Sequence, residues 1–176
     1  INEDTSIYVA YKKAFKSGGI DNSALPTASI NPLSPTFEGF DALIYDSEEV
    51  DGFEIGLKSN LLDNNMRLNA TYYKYEYTDL QVQLFDAAII QFSTFNAGAV
   101  ETEGFEADLL WYTDIPGLSL RGQFAWTDAT NTGDFITPGG ENLKGSKRSY
   151  SPEIAGSFGL SYDSGLSNGW RYNIST

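Results

Sequence analysis

The sequence predicts an all-β chain: an antiparallel up-and-down transmembrane β-barrel, present in part, with residues 1–176 forming about seven strands of one domain. Three observations predict it. Apolar side chains recur at every second position through most of the chain, which is the period of a strand and not of a helix. The connections between these stretches alternate between short and long, as they do when tight turns lie on one side of a membrane and loops on the other. The non-apolar face of each stretch is mostly Ser, Gly, Ala, Thr, Asn and Gln, which suits a lumen wall better than a sheet face bathed in bulk water.

Taken in order, Thr5 to Lys16 reads as a strand whose two faces are only loosely separated. Between Gly52 and Lys58, Phe53, Ile55 and Leu57 oppose Gly52, Glu54, Gly56 and Lys58. Leu68, Ala70 and Tyr72 oppose Arg67, Asn69, Thr71 and Tyr73, and Phe105, Ala107, Leu109 and Trp111 oppose Gly104, Glu106, Asp108 and Leu110. From Leu118 to Thr127, Leu118, Leu120, Gly122, Phe124 and Trp126 share one face. From Ile154 to Tyr162, Ile154, Gly156, Phe158, Leu160 and Tyr162 do the same, and Trp170 to Thr176 begins another strand. Residues 62–65, 113–117 and 163–169 are rich in Asp, Asn, Gly and Pro and predict tight turns. Long loops are predicted at Ser17–Glu48, Phe85–Asn96 and Gly133–Ser151. Asp51-Gly52-Phe53-Glu54-Ile55-Gly56-Leu57 and Glu103-Gly104-Phe105-Glu106-Ala107-Asp108-Leu109 form a weak repeat, each opening a strand after a long loop. Trp111 and Tyr112 before one turn, Tyr162 before another and Trp126 near a long loop predict two interfacial aromatic girdles on the apolar face. By pattern alone a soluble β-sandwich remains the alternative.

Composition narrows the function classes. With 11 basic against 24 acidic residues and a formal charge of −13, a nucleic-acid partner is excluded, because phosphate binding requires clustered Lys and Arg. The absence of Cys and His removes thiol chemistry, disulfides and most zinc or copper sites. An aromatic content of 14% argues against disorder. No apolar run is long enough for a membrane-spanning helix, which leaves a strand-built crossing open. The chain opens at Ile1 without an initiator Met and stops inside a strand, which predicts a fragment whose signal peptide lies outside it.

No phosphate loop, nucleophile elbow or metal-ligand spacing is present, so no catalytic residue, cofactor or metal site is expected and the chain is not read as an enzyme. In the loop Ser17–Glu48, the aromatics Phe37, Phe40 and Tyr45 stand beside Glu38, Asp41, Asp46 and Glu48. That combination suits a sugar or a cationic ligand, although a solvated loop with ordinary anchors is the simpler reading. Asp46, Glu48, Glu49 and Asp51 offer oxygen ligands for Ca²⁺ without the spacing or the Gly of a calcium loop. Lys144, Lys147 and Arg148 are the only basic cluster, fit either for an anionic lipid or ligand or for balancing nearby charge. Glu54, Glu106 and Asp108 are expected to face the lumen, and either to pair across strands with Lys58 and Arg121 or to contact a plug inside the barrel.

The passage Tyr11-Lys12-Lys13-Ala14-Phe15-Lys16-Ser17-Gly18-Gly19 resembles the strand-to-loop exit of TonB-dependent receptors. Glu49 to Ser59 resembles the following down-strand of that family, and Leu68 to Tyr73 with Tyr77 to Val82 resembles its next up-strand. Asn96 to Ala99 followed by Glu103-Gly104-Phe105-Glu106, and Leu143-Lys144-Gly145 followed by Ser151-Pro152, continue the likeness in the family's order. The resemblance implies a 22-stranded barrel in the bacterial outer membrane, filled by a plug domain of the same parent chain. It implies TonB-energised uptake of a scarce small-molecule ligand, such as a ferric siderophore, a corrinoid or an oligosaccharide. The plug and the TonB-contacting segment would lie outside these residues, and the strands are expected to come from the C-terminal third of the barrel. Outer-membrane lipid would be the other partner. A passive porin or adhesin barrel, or a secreted carbohydrate-binding β-module, is the competing expectation.

Overall fold

The computed structural model describes residues 4–21, 33, 39–86, 90–137, 139–165 and 169–176. The strands are β1 (Thr5–Lys16), β2 (Gly19–Ile20), β3 (Ile44–Tyr45), β4 (Glu48–Leu61), β5 (Met66–Asp86), β6 (Gln91–Tyr112), β7 (Leu118–Asn131), β8 (Ile154–Gly165) and β9 (Arg171–Ser175). Seven of them form one antiparallel sheet in the order β1-β4-β5-β6-β7-β8-β9, so each pairs with its sequence neighbour in an up-and-down meander. The other two, β2 and β3, pair with each other inside the first long loop.

Register gives each face its chemistry. Across the sheet, Ala10, Glu54, Tyr73, Gly104 and Thr127 stand opposite one another in one row. The adjacent row, on the other face, runs Val9, Ile55, Tyr72, Phe105, Trp126 and Ile154. Because side chains alternate strictly, this division holds along the strands: one surface is polar or small, and the other is apolar.

The apolar surface has no protein covering it. Val9 is 73% exposed, Phe158 70% and Ile7 53%, and among the described residues no large side chain is fully buried. A water-soluble sheet of this size buries one face against a second layer. Here the apolar face is instead what a membrane-spanning barrel turns to lipid, its strands satisfying their backbone groups by pairing with each other. On β6, nine residues lie between outward-facing Glu103 and the turn residue Thr113, close to the ~9–11 that a tilted barrel strand needs to cross a bilayer.

Three expectations are corrected. Residues 85–96, read as a long loop, are mostly strand: β5 continues to Asp86 and β6 starts at Gln91. The alternation of Leu80, Val82 and Leu84 with Gln81 and Gln83, matched by Phe95 and Ala97, sustains pairing beyond the membrane. From Lys74 to Asp86 the hairpin rises about 40 Å along the strand at ~3.4 Å per residue. Its ladder is interrupted at Asp79 (φ 52°) and Gly98 (φ 29°), between Thr78–Ala99 and Leu80–Ala97. Tyr112 does not join the apolar face; it pairs with Ser119 on the polar one, whereas Trp111, Trp126 and Tyr162 face outward as expected. The turn read at 163–169 is shorter, because β8 continues to Gly165.

Candidate functional site

The inner wall carries most of the polar chemistry. Glu54 Oε1 accepts from Lys12 Nζ at 2.7 Å and from the Tyr75 hydroxyl at 2.5 Å. Asn69 Nδ2 donates to both carboxylate oxygens of Asp108, at 2.9 and 3.2 Å. The hydroxyls of Tyr8 and Thr71, and of Tyr73 and Thr127, are each 3.0 Å apart. These pairs hold the rings against the wall, with the Tyr8 ring over Gly56 and the Tyr73 ring over Gly104. A concavity of about 480 Å³ on the same wall is lined by Thr71, Glu106, Asp108, Gln123, Ala125 and Ser157 among others.

Among the described residues no ion pair joins Glu54, Glu106 or Asp108 to Lys58 or Arg121, the cross-strand partners the sequence offered. Lys58 lies four residues along the same strand from Glu54, about 13 Å away at strand spacing. It sits instead 5.7 Å over the Tyr8 ring. Lys12, opposite Gly52, is the diagonal neighbour that reaches Glu54. Glu106 does face the lumen with Asp108, as expected.

On the outer face the apolar band ends at a charged belt. Lys13 meets Glu49 at 2.9 Å, Lys74 meets Glu101 at 2.9 Å and Glu103 at 3.7 Å, and Lys147 meets Asp128. Tyr11 donates to Asp51 at 2.9 Å and Tyr72 to Glu103 at 3.2 Å, so the outermost aromatics tie into the belt as interfacial residues do. The belt divides the acidic run. Glu49 and Asp51 point outward, while Glu48, on the other face, accepts from the backbone N–H of Gln81 at 2.9 Å. Alternation thus separates these carboxylates, and they do not converge on one cation.

Beyond the belt, two loops grip the β5–β6 hairpin. On one face, Phe135 packs with Val82 and Ala97, joined by Leu80, Leu84, Phe95 and Leu143, and the Phe95 and Phe135 rings meet edge to face at 6.5 Å. The loop between β7 and β8 that supplies Phe135 is tied by Asn142 Nδ2, which donates to Asp134 Oδ1 at 3.0 Å. That bond, with the Lys144 ammonium 3.6 Å away, holds the Asp134 carboxyl below its ordinary range. Lys147 pairs with Asp128, and Arg148 donates to Asn131 Oδ1 at 3.5 Å. The basic cluster is therefore engaged by its own loop and strand, in line with the charge-balancing reading.

On the opposite face, the stem of the loop between β1 and β4 leans on Gln81, Thr94 and Asn96. Of the loop residues singled out in the sequence, Phe37 and Glu38 lie outside the described residues. Phe40 and Asp41 open a single 3₁₀ turn, Tyr45 lies over Gly19, and Asp46 bonds Asn96 through its backbone. Sequence reading missed Gln81 and Asn96. The available signal was two amides in a segment whose alternation had not stopped.

A family model described as TonB dependent receptor-like, beta-barrel, matches residues 1–176. No curated protein matches the sequence. The ferric yersiniabactin uptake receptor FyuA from Yersinia pestis is 17% identical with a TM-score of 0.66, over 95% of this chain and 22% of that one. The siderophore receptor PiuA from Acinetobacter baumannii is 22% identical with a TM-score of 0.62, over 92% of this chain and 22% of its own. The ferripyoverdine receptor of the outer membrane of Pseudomonas aeruginosa is 15% identical with a TM-score of 0.59, over 99% and 24%. The chain thus spans less than a quarter of the length of these three structures.

Proposed function

The chain belongs to the TonB-dependent receptor-like β-barrel family, and from that premise we propose that it is a wall segment of a transporter that imports a scarce small molecule across the bacterial outer membrane. The observation that carries this reading is the polarity of the sheet. A bare apolar surface faces lipid, and a wall of neutral polar and acid groups faces inward beneath two loops clasped to one tall hairpin. A lumen of this kind holds water or a polar protein body.

The concavity around Thr71, Glu106 and Asp108 seats a plug domain of the parent chain, whose basic or amide groups meet the two carboxylates. TonB pulls on a segment of that plug, and the hairpin with its two loops forms part of the ligand's entrance. The ligand class we favour is an iron chelate, supported by the names of the three structural relatives. A corrinoid or an oligosaccharide is the alternative ligand. The role is transport and not catalysis: the inner carboxylates Glu54 and Asp108 are each engaged by hydrogen-bond donors, as befits a wall.

The test is growth and ⁵⁵Fe uptake under iron limitation by a strain carrying or lacking the parent gene, offered a panel of ferric siderophores. Gene-dependent uptake that disappears when TonB is deleted supports the reading. Uptake of every panel member without the gene, together with gene-dependent entry of a corrinoid or oligosaccharide, shifts the ligand class. Passive, TonB-independent permeability to small solutes overturns the reading in favour of a porin.

A further inference from the structure

Between β1 and β4 the ladder closes with the pair Lys16–Glu48 and resumes in the ribbon with Gly19–Tyr45. The register is the same on both sides, so the break at residues 17–18 and 46–47 is an interruption and not a slip. Backbone groups released there require other partners, since an unmet backbone donor or acceptor away from water is costly. Two side chains of the β5–β6 hairpin supply them. Gln81 Nε2 lies 2.9 Å from the Ser17 carbonyl oxygen, 3.0 Å from that of Asp46 and 3.4 Å from that of Lys16. Asn96 Oδ1 accepts from the Asp46 N–H at 2.6 Å, and its Nδ2 donates to the carbonyl oxygens of Asp46 at 3.0 Å and Asp79 at 2.7 Å. Gln81 and Asn96 are direct cross-strand partners, so the two amides stand side by side. Further along the same face, Asp21 Oδ2 accepts from the Thr94 N–H at 2.6 Å, and Asp21 itself is buried.

We propose that Gln81 and Asn96 are positioning residues that clasp the stem of the β1–β4 loop to the β5–β6 hairpin, so that the β2–β3 ribbon and the hairpin present one rigid surface at the barrel mouth. The side chains replace the missing ladder bonds across a two-residue gap. The Asp79 carbonyl held by Asn96 lies at the interruption of the hairpin's own ladder, so one amide ties both the loop stem and that gap. The clasp is independent of which ligand, if any, the receptor imports, and its failure is read by a different measurement from transport.

The experiment uses the full-length receptor in detergent micelles, with paired spin labels in a cysteine-free background; these 176 residues contribute no cysteine. One pair, at Ile20→Cys and Gln83→Cys, spans ribbon and hairpin. A second, at Val9→Cys and Phe158→Cys, spans the lipid-facing wall. The expected result is one narrow distance peak for each pair in the parent. In the Gln81→Ala/Asn96→Ala variant the ribbon–hairpin peak is lost and the wall peak is kept. Asn96→Asp, which retains the acceptor for Asp46 but lacks both donors, also broadens the ribbon–hairpin peak. An unchanged ribbon–hairpin peak in either variant overturns the clasp. Loss of both peaks overturns it as well, because the amides would then be holding the barrel.

Discussion

Gly52, Gly56 and Gly104 all face the lumen, yet an added methyl meets a different obstacle at each. At Gly56 the nearest atoms belong only to the Tyr8 ring, whereas at Gly104 the Trp126 carbonyl oxygen stands 2.6 Å from the position and at Gly52 the Tyr75 Cα stands 2.7 Å away. A ring can rotate aside and a paired backbone cannot. Gly52→Ala and Gly104→Ala are expected to cost about 1–3 kcal/mol, the usual penalty of overpacking, and Gly56→Ala clearly less. Urea unfolding of the full-length receptor in detergent measures this, and equal losses at all three positions would count against the argument. Charge at Asp134 gives a second prediction. Asn142 and then Lys144 depress its folded pKa, so its contribution is present above the unfolded value and is lost as pH falls through the lower folded one. Hydrogen exchange in residues 132–150 should therefore accelerate as pH drops below about 4, after correction for the intrinsic pH dependence of exchange. Asp134→Asn should abolish that acceleration; if the acid response persists unchanged, another group governs the loop.

For the single element, the question is which face or end of a strand a change touches. Phe158 and Ser157 are adjacent in β8 but point to opposite sides, the first opposite Gly122 and the second opposite Gln123. An arginine on the lipid side of a barrel costs about 2–4 kcal/mol near the midplane, while the lumen side tolerates it. Phe158→Arg should thus lower unfolding stability in lipid by that order and Ser157→Arg by much less; a reversed order would place lipid on the other face. Phe135 tests the long-loop end of the sheet. It is 6% exposed in a small core outside the membrane. Removing such a ring costs about 3 kcal/mol. The loss should fall on local protection of residues 132–150 and of the hairpin above Thr78, with the transmembrane strands unaffected, because neighbouring cores unfold separately when few contacts join them. Uniform loss of protection across all strands would show that the hairpin and barrel form one cooperative unit.

Taken whole, the molecule is a sheet without a second layer. β1 and β9 each pair along one edge only, and among the described residues many large apolar side chains of the outer face, such as Val9 and Phe158, stay exposed. In a complete barrel both edges are closed and lipid covers that face. These 176 residues expressed alone in water are therefore expected to self-associate, as sedimentation would show. A monodisperse, folded β-protein in water would defeat the membrane assignment. Scale also explains the distribution of charge. Three outward-facing ion-pair sites line up in the belt above the lipid band, where each exposed pair adds little stability but the row as a whole marks the depth of the bilayer.

What the sequence by itself determined was most of what depends on neighbours along the chain. The two-residue period specified strands and their faces, and Asp, Asn, Gly and Pro marked the turns. The small, neutral character of one face favoured a lumen over a water-exposed surface without deciding it, and five family-like passages in order named the barrel. Those signals are local, so no partner strand is required to read them. Only the tertiary structure decided the rest. It extended β5 and β6 through the segment read as a loop, because pairing between Leu80–Leu84 and Phe95–Ala97 sustains strand beyond the membrane. It gave Glu54 to Lys12 and not to Lys58, because diagonal register sets reach. It assembled the clasp from Gln81 and Asn96, two ordinary amides whose importance arises from a ladder gap between β1 and β4. Register and gap are properties of strands that meet in space, and no stretch of a single strand contains them.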